Sequence, residues 1–158
     1  MKTKLMFATM LLISNFAFAE PFNAYQASYG VWEKSEDKAE SMKITAQGLD
    51  DIAKAPEKCK KKSNWGHEID WVGGSELRKG ILESIDYAIS VEGNKSVKEY
   101  KKEMQTVLEK LQNNKKYFRI IGFLSCADGS SGFIHIDGKM GLRVDAAPDD
   151  FYSVVYKK

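Results

Sequence analysis

The chain has 158 residues, 43% of them hydrophobic and 29% charged; that size fits one domain with a genuine core, and the composition excludes global disorder. Its formal net charge of +2 comes from Lys2 and Lys4: without residues 1–19, 22 basic and 22 acidic residues remain. A neutral body gives no electrostatic case for a nucleic-acid partner.

Residues 1–19 carry the three-part layout of a secretory signal peptide. Lys2 and Lys4 form the basic start, Leu5 to Ile13 the apolar run, and Ala17-Phe18-Ala19 the small-x-small cleavage pattern. The expected cut falls between Ala19 and Glu20. The apolar run is shorter than the roughly 20 residues of a membrane-spanning helix, so no integral membrane segment is expected after processing. The expected location is the periplasm or the exterior, with residues 20–158 as a single domain. An oxidising space favours pairing of the two cysteines, Cys59 and Cys126. The span of 67 residues between them would make such a disulfide worth about 4 kcal/mol in the chain-entropy model.

In the mature chain, Phe22, Tyr25, Tyr29 and Trp32 are spaced 3, 4 and 3 apart, which predicts one face of a helix. Ser35 with Glu36 and Asp37 predicts a second helical start, and Met42, Ala46, Leu49 and Ala53 keep the helical period. Gly48 and Pro56 predict an end by about residue 55. Residues 56–74 lack a sustained period and contain Gly66, Gly73 and Gly74. They predict a long loop, stapled at Cys59, with at most a short strand or turn at 69–72.

Ser75 is the expected cap of the next helix, whose apolar stripe is Leu77, Ile81, Ile85 and Ile89, widened by Leu82 and Ala88. Ser96 and Glu99 form a capping-box pattern ahead of Val97, Tyr100, Met104, Val107, Leu108 and Leu111. From Lys116 the pattern changes to strand. Tyr117 to Cys126, Phe133 to Ile136, Lys139 to Val144 and Phe151 to Tyr156 are the expected strands, with Asp137-Gly138 as a hairpin turn. The expected class is α+β, with N-terminal helices packed on one face of a C-terminal antiparallel sheet of three to four strands.

No catalytic signature is present. HExxH and Gly-x-Ser-x-Gly are absent, and the two histidines lack metal-ligand spacing. No metal or cofactor is expected. Trp65, His67, Glu68, Asp70 and Trp71 mix aromatic and acidic groups between glycines in the expected loop. Tryptophan is enriched at binding hot spots, so these five are the candidate contacts for a protein partner in the cell envelope. The function expected from this set is a non-catalytic exported binding protein, for example an inhibitor or immunity-type protein acting on a secreted hydrolase or toxin. The alternative is a small secreted hydrolase using His67 or His135 with a nearby carboxylate.

Overall fold

The computed structural model describes residues 19–34, 37–50, 65–124, 130–146 and 150–158. Three helices and eight strands occur among them. In chain order they are α1 (Ala19–Ala27), β1 (Gly30–Lys34), β2 (Asp37–Thr45), β3 (Gly48–Asp50), β4 (Trp65–Gly73), α2 (Gly74–Glu92), α3 (Lys98–Lys110), β5 (Lys116–Leu124), β6 (Ser130–His135), β7 (Met140–Ala146) and β8 (Phe151–Lys157).

The strands form one antiparallel sheet in the order β3-β2-β1-β8-β7-β6-β5-β4. The sheet curls until β3 lies against β4 and β5, giving a nearly closed barrel. This corrects the expected architecture of helices over a three- to four-stranded sheet. The added strands come from two stretches read otherwise in the sequence. Residues 35–55 were expected to be helical, but β2 and β3 form a hairpin there. Met42 and Ile44 alternate with Ser41, Lys43 and Thr45, and Ile44 pairs with Leu49. Gly48, at φ 123°, makes the turn. Its role is hairpin geometry, not helix termination.

The second correction is β4. Residues 65–73 were expected in a long loop but pair with β5 over nine consecutive positions, from Trp65 opposite Leu124 to Gly73 opposite Lys116. Gly66 fits this ladder because the Phe123 ring lies over it: a Cβ on Gly66 would sit 2.1 Å from that ring. The helical reading of residues 20–34 also shortens. α1 stops at Ala27, and Gly30 opens β1.

Apolar residues face both sides of the central strands, so two cores result. Inside the barrel are Trp32, Met42, Ile44, Leu49, Phe118, Ile120, Phe133 and Val155. On the outside, α2 and α3 lay Leu77, Ile81, Ile85, Met104, Val107, Leu108 and Leu111 over Val72, Tyr117, Ile134, Leu142, Val144 and Val154. Neighbours such as Tyr117 and Phe118, or Val154 and Val155, therefore go to opposite cores, as the two-residue strand period requires. Burying β5 to β8 on both faces explains their near-continuous apolar sequence.

The helix starts differ from expectation. α2 begins after Gly73 without a side-chain cap, and Ser75 Oγ instead donates to the Asn113 carbonyl at 3.1 Å. α3 begins after Val97, also without a side-chain cap, so the Ser96–Glu99 box does not form. Cys59 and Cys126 lie outside the described residues, as do residues 1–18 of the expected signal peptide.

Candidate functional site

One end of the barrel holds a cleft of about 850 Å³. Four elements converge there: the C-terminal end of β4, the start of β5, the end of β6 with its turn, and α1. Trp71 and Phe118 form an aromatic wall, with ring centroids 6.0 Å apart in an edge-to-face arrangement. Ile136 and Tyr117, which belong to the outer core, border the cleft from the other face, and Asn114, Lys115, Lys116, His135 and Asp137 supply the polar lining. Ala24 of α1 completes the boundary.

α1 is tied to the barrel end by specific bonds. Tyr25 donates its hydroxyl to the Thr45 carbonyl at 2.5 Å, and its ring lies 5.5 Å from that of Phe118. Trp32 Nε1 donates to the Ser28 carbonyl at 2.7 Å, and Lys157 Nζ donates to the Ala27 carbonyl at 2.8 Å. The short, weakly amphipathic helix is thus held by its C-terminal turn and one aromatic contact, next to the opening.

His135 is a half-buried polar residue of the cleft. Its ring stands edge-on to Trp32 at 5.9 Å. Its Nε2 is buried and has no hydrogen-bond partner. Burial holds the imidazole below its ordinary pKa of 6.5; the pull of Asp137 upward is opposed by the positive charges of Lys157 and Lys115. His135 is therefore neutral at neutral pH.

Asp137 is already committed. It accepts from Lys110 Nζ at 2.6 Å through Oδ2, and from the N–H groups of Lys139 and Met140 at 2.9 Å through Oδ1. Burial alone would raise its carboxyl, but these bonds together bring it below the ordinary carboxylate value. Lys115 and Lys116 have no carboxylate partner among the described residues; Lys115 Nζ lies 5.1 Å from the Tyr117 ring centroid.

The five sequence candidates on β4 do not form one surface. Trp71 reaches the cleft. His67 lies elsewhere, at the seam, with Nε2 2.8 Å from the Leu49 carbonyl of β3. Asp70 accepts two hydrogen bonds from Arg119, at 2.8 and 2.5 Å. Those bonds hold its carboxyl below the ordinary value. Glu68 is exposed. Trp65 opens the strand opposite Leu124. Strand alternation separates His67 and Trp71 on one face from Glu68 and Asp70 on the other.

His67 and His135 also stay apart: His67 is in register with Gly122, four residues along β5 from Phe118 at the cleft. Among the described residues no group of three or more histidine, cysteine or acidic side chains is placed to hold a metal ion, and no helix is long and apolar enough to cross a membrane.

The sequence reading missed Lys115, Lys116 and Phe118 as cleft residues. The one signal that bore on them was the Asp137-Gly138 hairpin, which fixes where β6 ends. Its placement beside residues 114–118 depends on strand order, which periodicity does not encode. No family model, curated protein or solved structure matches the chain.

Proposed function

We propose that this is an exported, non-catalytic binding protein that takes a small molecule in the cleft at the α1 end of its barrel. The observation that carries the reading is the cleft itself. About 850 Å³ lies within the range of ligand pockets, and a barrel mouth lined by aromatic groups with a few polar ones is a common setting for them. Export rests on the layout of residues 1–19, and a cut before Glu20 would leave nearly all of α1 on the mature chain.

The chemistry of the lining favours binding over turnover. His135 is neutral, but its nearest carboxylate, Asp137, is occupied by Lys110 and two backbone amides. Among the described residues no serine, threonine or cysteine lines the cleft to act as a nucleophile. A role in blocking a secreted hydrolase or toxin would draw on a projecting element at residues 65–71, and that segment belongs to the sheet. The small-molecule reading therefore takes precedence over the macromolecular one.

Native mass spectrometry of the folded chain, incubated with a mixed set of small acids, alcohols and amines, tests this reading. One-to-one adducts should form with the natural chain. They should disappear in Ala24→Phe, which fills the cleft without removing a core side chain, while the melting temperature holds. No adducts, or adducts indifferent to Ala24→Phe, would overturn the reading.

A further inference from the structure

We propose that the cleft selects acids: a flat apolar body held against Trp71, with a carboxylate or similar monoanion drawn to Lys115 and Lys116. This rests on the reading of the cleft as a ligand site and adds the sign of the ligand's charge.

The charge inventory around the cleft is one-sided. Three lysines, Lys115, Lys116 and Lys157, surround or approach it, and its one acidic lining residue is neutralised by a fourth, Lys110. Lys157 is anchored on the Ala27 carbonyl and lies 5.8 Å from the Trp32 ring centroid, neither of which carries a negative charge. The mature chain carries equal numbers of acidic and basic residues. The excess is therefore a local arrangement and not a reflection of a basic protein. Low-dielectric aromatic walls beside these cations concentrate a positive field at the opening. An anion entering there gains charge-assisted contacts, and an ammonium meets repulsion.

His135 supplies the second element. Its ring, held neutral by burial, adds an uncharged polar group to the lining, and its Nε2 is enclosed without a hydrogen-bond partner among the described residues. Trp71 is partly exposed at the cleft, and the buried Phe118 ring packs edge to face behind it, so Trp71 is the ring a flat ligand can meet.

Three probes that share one hydrocarbon and differ in charge decide the matter: 2-naphthoate, 2-naphthalenemethanol and 2-naphthylmethylammonium, titrated by calorimetry. The proposal expects 2-naphthoate to bind about tenfold or more tightly than the alcohol, and the ammonium to bind more weakly still. Added salt should erode the preference for the acid. The double variant Lys115→Gln/Lys116→Gln alters two exposed side chains and should remove that preference, bringing the affinities for acid and alcohol together. If acid and alcohol bind equally and both are lost in Ala24→Phe, charge selection is wrong and the cleft remains the site. If no probe binds, or Ala24→Phe changes nothing, both readings fail together. Preference for the ammonium would overturn the proposal directly.

Discussion

At His67 one imidazole stands in for a missing ladder. β3 is only three residues long and makes no register pairs with β4, so the seam between them is bridged by His67 Nε2 and the Leu49 carbonyl at 2.8 Å. The same ring explains the glycine beside it: a Cβ on Gly48 would lie 2.3 Å from the imidazole, and the backbone there has φ 123°. His67→Ala should cost about 0.5–1.5 kcal/mol, the net worth of one hydrogen bond. Gly48→Ala should cost more, and part of that cost should vanish in the His67→Ala background, leaving the backbone strain alone. Denaturant titration of the two single variants and the double variant measures this. Purely additive losses would show that the two residues do not meet.

His135 gives the residue scale a pH signature. Its folded pKa is depressed below the ordinary 6.5. As pH falls below about 6.5 the unfolded chain takes up a proton that the folded imidazole resists, so stability declines toward acid and is fully present above that value. His135→Gln should flatten this part of the profile. Denaturation midpoints across the range from pH 5 to 8 provide the check, and an unchanged slope in the variant would mean that His135 does not contribute to it.

Among the elements, α2 and α3 were the most legible, because an amphipathic stripe in a long segment admits one reading. Ile81 is fully buried and Ala88 is buried too, but Leu82, expected to widen the stripe, is 47% exposed, which corrects its place on the face. Ile81→Ala should lose about 2–5 kcal/mol and Leu82→Ala about 0.5 or less; equal losses would place the stripe wrongly. β2 and β3 were less legible. Met42, Ala46 and Leu49 satisfy a helical period while Met42 and Ile44 satisfy a strand period, and a stretch that short does not choose between them without its partner strand. β4 was hidden by its glycines: Gly66 reads as a turn residue until Phe123 is seen to cover it.

The ends of β4 and β5 also bear on the cysteines. Trp65 and Leu124 are register partners. Cys59 lies six residues before one and Cys126 two residues after the other, separations the chain can span to the roughly 4–7 Å of a disulfide. We propose that the two are bonded. The native protein should then resist thiol labelling until reduced, and reduction should cost about 2–5 kcal/mol. Complete labelling of the native protein would refute the bond.

At the scale of the whole molecule, the closing of eight strands is what creates a site. The cleft draws Ala24, Trp71, Phe118 and His135 from four elements spread over more than a hundred residues, and their meeting depends on β1 pairing with β8 and on β4 flanking β5. Turn signals and alternation located the C-terminal strands, but no local pattern records which distant strands become neighbours, so neither the barrel nor its mouth was visible in the sequence. The candidate set suffered for the same reason: Trp71 belongs to the cleft, whereas His67 serves the seam and Asp70 binds Arg119.

Ligand entry at this mouth is decided by amide spectra of the chain from Glu20 onward, recorded with and without 2-naphthoate. Shifts should group at Ala24, Trp71, residues 114–118 and residues 135–137, with the outer faces of α2 and α3 and the seam at His67 unchanged. Shifts centred on residues 66–69 or on the helices, or no shifts at all, would contradict it.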